Sequence, residues 1–103
     1  MIIRVFRARI RKDRISDFKQ LVKEQSIPWL EKSDGMLGYF PGEPLDQNDQ
    51  EFLMVTLWRD LDSLEAFAGS DWNDPVVTED EAPLVEAMFA DHYIGFGKDD
   101  LRR

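Results

Sequence analysis

The sequence contains no cysteine and a single histidine, His92, among its 103 residues. The lack of cysteine excludes disulfides, thiolate catalysis, zinc fingers and iron–sulfur clusters. With one imidazole per chain, we also expect no metal site. No apolar run approaches the roughly 20 residues that a membrane helix needs. Because Arg4, Arg7 and Arg9 interrupt the apolar N-terminus, we expect a cytoplasmic protein with neither a signal peptide nor a membrane partner.

Positive charge is scarce, because the sequence has 13 basic and 21 acidic residues and therefore a net charge of −8. Proteins that bind nucleic acid hold its phosphates with Lys and Arg, so this balance argues against a nucleic-acid partner. The charges are unevenly spread, because residues 1–12 carry five positive charges and no acidic one. Such a basic segment marks an anionic ligand site, an ion-paired neighbouring strand or a solvated face.

The hydrophobic pattern predicts the element order β-α-β-β-α-β. Apolar residues at helical spacing begin near Asp13, and Pro28 should kink or interrupt this helix before Gly35 ends it. Asp62 is expected to cap the second helix, and Asp80 to cap a further short helical turn. The predicted strands are residues 2–10, 36–40, 51–59 and 88–96.

This order is the ferredoxin-like α+β arrangement, a four-stranded antiparallel sheet with helices on one face. The third strand is apolar on both faces, with Phe52 on one and Leu53 on the other. Helices in so short a chain cover one sheet face, so a second copy is expected to cover the other and form a homodimer. One domain is expected, with a folded core over residues 1–97 and a polar tail over residues 98–103.

Residues 55–72, VTLWRDLDSLEAFAGSDW, carry the most specific pattern in the chain. Trp58 ends a strand, a polar turn follows, and a short helix then ends in Phe67. Together with the element order and the late pair His92 and Tyr93, this pattern resembles the antibiotic biosynthesis monooxygenase family over nearly the whole chain. Members of that family are dimeric α+β barrels, so the resemblance implies the same assembly here.

The resemblance also implies an activity, the oxidation of a small aromatic or quinol-type molecule by dioxygen with no metal, flavin or other cofactor. The ligand is deprotonated in a dry pocket, and its electron-rich anion reduces oxygen directly. On this basis His92 is the expected base, because its ordinary pKa lies near neutrality, and Arg7 is expected to stabilise the anion. The expected pocket walls are aromatic: Trp58, Tyr39, Phe67 and Trp72.

Each candidate also has a purely structural interpretation. His92 is then a core histidine bonded to a carbonyl or carboxylate, and Arg7 pairs with an acidic residue of a neighbouring strand. Trp58 is a core residue at the end of a strand. Trp72, in an irregular segment, is a lid, a dimer anchor or a plug over the edge of the core.

A second branch of the superfamily degrades haem, with an iron-ligating histidine after the short helix, a tryptophan within it and an asparagine on strand one. Here residues 70–78 contain no histidine, Phe67 takes the tryptophan's place, and strand one has no asparagine. We therefore expect no haem partner. Two alternatives to oxygenation stay open: a catalytically silent dimer that binds a small apolar ligand or serves a stress role, and isomerase or decarboxylase chemistry without oxygen.

Overall fold

The computed structural model describes residues 1–97, so the polar tail predicted at residues 98–103 lies outside the described residues. The strands are β1 (Ile2–Ile10), β2 (Met36–Gly42), β3 (Glu51–Trp58) and β4 (Val85–Ile94). All four form one sheet in the order β2-β3-β1-β4, and every neighbouring pair is antiparallel. The predicted ferredoxin-like α+β fold is therefore confirmed.

The segment between β1 and β2 is helical, and Pro28 interrupts it as predicted. Proline has no N–H, and in a regular helix its ring collides with the carbonyl four residues earlier, here that of Glu24. A wide π turn around Glu24 relieves this conflict. The segment consists of a 3-10 turn (Lys12–Arg14), α1 (Ile15–Leu21), the π turn (Val22–Ser26) and α2 (Ile27–Glu31).

The second helix, α3 (Leu61–Ala68), begins two residues earlier than predicted. Its N-cap is Asp60 and not Asp62. The Asp60 carboxylate accepts hydrogen bonds from the backbone N–H of Ser63 at 2.8 Å and from its hydroxyl at 2.7 Å. Asp60 has the extended backbone that a cap requires, whereas Asp62 already lies in the first helical turn. The predicted end at Gly69 is confirmed, and this residue has a φ of 89°.

Both edge strands differ from the prediction at their ends. β4 begins at Val85 and not at residue 88, and it ends at Ile94, because that residue already lies opposite Ile2 at the start of β1. β2 continues two residues beyond residue 40 and passes through Pro41. Proline is tolerated there because an edge strand has one side without a neighbouring strand.

A 3-10 turn at Ala82–Leu84 precedes β4, and the predicted cap Asp80 does not close it. The Thr78 hydroxyl instead accepts the N–H of Glu81 at 3.2 Å. Within residues 1–97, no helix is long and apolar enough to cross a membrane. The cytoplasmic location stays a prediction.

Side chains alternate between two sheet faces, and the helices cover one of them. This covered face buries two apolar clusters, Ala8, Ile10, Phe18, Phe52 and Leu84 in one and Leu30, Trp58 and Leu64 in the other. The opposite, open face has no helix on it within the described part of the chain. It exposes large apolar side chains, among them Phe40, Leu53, Phe89 and Tyr93.

Candidate functional site

A cavity of about 290 Å³ lies on the covered face, between the sheet and the first helical segment. It separates the two apolar clusters, since Phe52 of one and Leu30 of the other both line it. This volume is close to the lower end of the range for small-molecule sites. The cavity is mainly apolar, and five aromatic side chains contribute to its wall: Phe6, Phe18, Trp29, Phe52 and Phe67.

Arg4, in the middle of β1, brings a positive charge to this wall although only 3% of the residue is exposed. Its Nη1 donates to the Trp72 carbonyl at 2.7 Å and to His92 Nε2 at 2.8 Å, and its Nη2 donates to the Asp74 carbonyl at 3.2 Å. A guanidinium has five N–H donors. Two of them, one on Nε and one on Nη2, therefore make no hydrogen bond with residues 1–97.

The charge of Arg4 has no ion-pair partner among the residues that the structure describes. Burial lowers its pKa, but a guanidinium keeps its charge in proteins. An uncompensated buried charge is costly unless something polar meets it. Arg4 is thus a buried cation with spare donors beside an apolar cavity, an arrangement suited to an anionic oxygen.

His92 lies directly opposite Arg4 in the pairing of β1 with β4. Its Nε2 accepts from Arg4, so the proton of the neutral ring belongs on Nδ1. Burial lowers the pKa of His92, the charge of Arg4 lowers it further, and Asp91 opposes both. The ring also packs edge-on against Trp72, with centroids 5.0 Å apart. His92 does not line the cavity, so in this arrangement it positions Arg4 from behind.

Glu81 brings a second ionisable group to the cavity wall, and 8% of it is exposed. Burial raises the pKa of its carboxyl, and hydrogen bonds from the amide and hydroxyl of Thr78 oppose that rise. Glu81 makes no ion pair with any cation of residues 1–97. The cavity therefore presents a buried cation and a buried carboxyl that do not neutralise each other directly.

The remaining charged groups lie around the cavity on the helical and loop side. Lys19 of α1 and Glu43 of the β2–β3 loop line it and form an ion pair with each other at 3.0 Å. Lys23 of the π turn also lines it and is exposed. Thr56 of β3 is buried on the wall, and its Oγ1 accepts the indole N–H of Trp58 at 2.9 Å. Only Arg4 and Glu81 are therefore both ionisable and deeply buried at this cavity.

Of the four aromatic residues predicted as pocket walls, Phe67 lines the cavity. Trp58 is fully buried in the core behind it, with ring centroids 5.0 Å apart. Trp72 contributes its carbonyl to Arg4 and its ring to His92. Tyr39 packs against the apolar cluster of Trp58 without lining the cavity, and its hydroxyl donates to Glu31 at 2.9 Å.

The two residues predicted to be catalytic, His92 and Arg7, lie on opposite faces of the sheet. Arg7 is on the open face, where its Nη2 contacts an Asp91 carboxylate oxygen at 2.5 Å and its guanidinium lies 5.6 Å from the centroid of the Phe89 ring. Neighbouring residues of a strand point to opposite faces, so odd-numbered Arg7 cannot reach the cavity that even-numbered Arg4 lines. The expected convergence of Arg7 and His92 on one pocket is therefore not found.

Sequence reasoning missed Arg4 and Glu81. A signal for Arg4 was present, because it shares a strand face with Ile2, Phe6 and Ala8 and is the charged member of an otherwise apolar row. Nothing comparable marks Glu81, which lies in an irregular acidic segment. In the described part of the chain, no three His, Asp or Glu side chains are grouped as a metal ion would need. The absence of a metal site in the whole protein stays a prediction.

A ferredoxin-like sheet with a ligand-sized cavity beneath its helices defines a class of small α+β proteins whose functions differ from member to member. This chain belongs to the antibiotic biosynthesis monooxygenase family, whose sequence model matches residues 1–72 of the 103. The resemblance seen in the sequence is thereby confirmed. No protein of curated function matches the chain.

Solved structures share the fold at low sequence identity. A protein from Deinococcus radiodurans, assigned to the antibiotic biosynthesis monooxygenases, is 20% identical with a TM-score of 0.76, and the alignment covers 100% of both chains. One from Nitrosomonas europaea with the same assignment is 14% identical with a TM-score of 0.76, over 94% of this chain and 100% of its own. Identities this low establish the fold and leave the activity to be argued from the site.

A third neighbour corrects the prediction about haem. A variant of MhuD, 13% identical with a TM-score of 0.72 over 97% of this chain and 99% of its own, binds two manganese protoporphyrin IX molecules in each active site. The same fold thus accommodates a haem-like macrocycle. Excluding haem because one histidine, one tryptophan and one asparagine are missing was wrong, since shape and apolar surface also contribute to porphyrin binding.

Proposed function

We propose that this protein binds a small phenol or quinol in the cavity and oxidises it with dioxygen without an added cofactor. The observation that carries the proposal is Arg4, a buried cation with two unused donors on an aromatic cavity wall. Hydrogen bonds between a charged donor and an anionic oxygen are short and strong, and a dry site strengthens them further. Membership of the monooxygenase family supports the reaction class.

In this proposal Arg4 takes the anion-stabilising role that the family resemblance had implied for Arg7. Loss of the phenolic proton leaves negative charge on the oxygen and on the ring carbon para to it. Arg4 stabilises this anion, while its carbonyl partners and His92 hold the guanidinium in place. His92 positions Arg4 and does not act as the base, because its Nε2 is already engaged.

The oxidation balances without an outside reductant. The phenolate transfers an electron to dioxygen, and a C–O bond then forms at the para carbon. The C–H bond at that carbon and the O–O bond break next, so one oxygen atom stays as a carbonyl and the other leaves as water. A phenol with a free para carbon and one dioxygen thus give one quinone and one water. The aromatic side chains of the cavity wall shield their side of the anion from water.

We also propose that a second copy of the chain covers the open face of the sheet. Exposed fractions of 52% for Phe40, 48% for Phe89 and 57% for Tyr93 leave large rings without cover in one chain. Several large apolar side chains exposed on one sheet face are typical of an interface, and a stable dimer buries about 800 Å² per partner. Light scattering should give twice the chain mass of 12.1 kDa, and a chain-mass particle at micromolar concentration would contradict this assembly.

The oxygenase proposal is tested with 1-naphthol, an aromatic phenol with a free para carbon, in an oxygen electrode after treatment of the protein with a chelator. We expect one dioxygen consumed for each 1,4-naphthoquinone formed, with no hydrogen peroxide. Saturable naphthol binding without oxygen uptake would instead identify a silent binding protein. Consumption of 1-naphthol at the same rate without oxygen would refute the oxygenase proposal.

A further inference from the structure

The carboxyl of Glu81 is the one buried group at the cavity for which the mechanism above has no use. It is more than nine-tenths buried, it lines the cavity, and no cation of residues 1–97 pairs with it. Acidic residues are seldom buried without a partner. Glu81 is therefore a buried carboxyl that is held by hydrogen bonds from Thr78 and has no cation beside it to balance its charge within residues 1–97.

The backbone around Glu81 is held firmly, which fixes the place of the side chain. The N–H of Glu81 donates to the Thr78 hydroxyl and carbonyl, each at 3.2 Å, and the N–H of Ala82 donates to the same carbonyl at 3.0 Å. The Glu81 carbonyl in turn accepts the N–H of Leu84 at 2.9 Å. The turn is thus closed through its main chain, and hydrogen bonds from the Thr78 amide and hydroxyl also hold the Glu81 carboxyl at this turn.

Other candidates for a base at this site are engaged elsewhere. His92 accepts from Arg4 through Nε2 and does not line the cavity. Glu43 lines the cavity but forms an ion pair with Lys19 and is exposed. Two cations line the cavity from the remaining elements, Arg4 on β1 and Lys23 on the π turn, and a cation cannot accept a proton. Among residues 1–97, Glu81 is therefore the one carboxyl at the cavity that is buried and forms no ion pair.

We propose that Glu81 accepts the proton of a phenol that enters the cavity neutral, while Arg4 receives the negative charge left on its oxygen. The O–H bond of the ligand breaks, the proton forms an O–H bond with the Glu81 carboxylate, and no proton leaves the site. The inference rests on the proposed function, because it concerns the proton of the same phenol. It assigns the site to phenols that ionise inside the cavity.

Burial of Glu81 favours this exchange. A carboxyl whose pKa is raised by burial is a stronger base than one in water, and a buried guanidinium makes a phenol a stronger acid. The environment thus raises the pKa of the Glu81 carboxyl and lowers that of the bound phenol, and two groups shifted in opposite directions in this way form an acid–base pair. The transfer exchanges one anion for another within the cavity that Arg4 and Glu81 both line, so the net charge of the cavity does not change.

The experiment counts protons during binding, in the absence of oxygen so that no turnover occurs. The probe is 7-hydroxycoumarin, whose phenol and phenolate absorb at different wavelengths, at about one pH unit below its free pKa. Absorbance gives the phenolate formed, and a dilute pH indicator gives the protons released. We expect wild-type protein to release close to no proton for each phenolate formed, and Glu81→Gln to release about one. Glu79→Gln, at an exposed neighbouring carboxylate, should match the wild type.

A second measurement needs no variant and covers the case in which Glu81→Gln fails to fold. The infrared difference spectrum of wild-type protein should gain a protonated-carboxyl band when the probe binds. One proton released per phenolate in the wild type, or a bound probe that stays neutral, would overturn the assignment of Glu81. Lack of probe binding would remove the proposed function as well. Internal proton transfer without oxygen uptake from 1-naphthol would refute the oxygenase and leave Glu81 as the proton acceptor.

Discussion

Arg4 and Arg7 are three residues apart on β1, and the sheet separates them into different environments. Arg4 faces the helices, where carbonyl groups and a histidine meet its donors and an apolar cavity adjoins it. Arg7 faces the open side, where Asp91 neutralises it and the Phe89 ring lies beneath it. An arginine already paired with a carboxylate has less capacity for a ligand, whereas one held by neutral acceptors keeps its charge available.

The two faces of the sheet differ as clearly as the two arginines do. The covered face is a packed core with a cavity in it, and the open face is an apolar surface that also carries the Arg7–Asp91 ion pair. Packing on the covered face confers stability and forms the wall of the cavity. The open face has no such packing within one chain, which suits it to an interface.

The largest effect is expected from truncating the core on the covered face. Trp58 is completely buried and donates its indole N–H to Thr56, so Trp58→Ala should lower the free energy of unfolding by about 3–5 kcal/mol. Phe89 is half-exposed on the open face, so Phe89→Ala should cost about 1 kcal/mol in the separated chain. Urea denaturation at low protein concentration measures both. An equally large loss at Phe89 would show that the open face is as deeply buried as the core.

The next effect sharpens the contrast between the two arginines. Arg4→Met removes the donors that face the anion, and turnover of 1-naphthol should fall by about 10²–10³, the scale for losing an oxyanion donor. Arg7→Met should leave turnover within about twofold, because Arg7 does not reach the cavity. Steady-state oxygen uptake by the two folded variants decides this. Equal losses, or a loss confined to Arg7→Met, would place the anion site on the open face.

A smaller effect is expected from charging the open face. Phe89→Glu places a carboxylate within the proposed interface, and the dissociation constant of the dimer should rise about tenfold or more, since desolvating a charge without a partner is costly. Phe96→Glu is the matched control, because Phe96 is 95% exposed and lies beyond the end of β4. Analytical ultracentrifugation gives both constants. An unchanged constant for Phe89→Glu would exclude this face as the interface.

The smallest effect concerns pH on the covered face. Burial and the charge of Arg4 lower the pKa of His92 in the folded protein below its ordinary value of 6.5, and Asp91 opposes them. The folded state then binds this proton less readily than the unfolded chain. The free energy of unfolding should therefore fall as the pH drops through about 6.5, and this fall should end below the folded-state pKa.

Glu81 titrates with the opposite sign, because its raised pKa favours the folded state in acid and this stability is lost as the pH rises through the folded value. The contribution of His92 is therefore measured as the difference between wild-type protein and His92→Gln in urea denaturation at several pH values. Parallel curves for the two proteins would show that His92 is not held neutral by burial and Arg4.

Much of the fold follows from local patterns along the chain. The element order, the interruption at Pro28 and the helix end at Gly69 depend on backbone chemistry within a few residues. The N-cap of α3 was predicted at the wrong aspartate because Asp60 and Asp62 have the same side chain. They differ in backbone conformation, which is extended at Asp60 and already helical at Asp62. The predicted ends of β4 were wrong because a strand ends where its partner strand ends. The residues of β4 do not encode the length of β1, with which β4 pairs.

The sequence by itself determined the family, the sheet and the division of β1 into two faces, because alternation along a strand is a local property. Only the tertiary structure decided which arginine lines the cavity. That choice depends on which face the helices cover and on the register that sets Arg4 opposite His92. The same is true of Glu81, which reaches the cavity from an irregular segment far along the chain. Burial and contact between distant residues are created when the elements pack, and so the chemistry of the site is decided there.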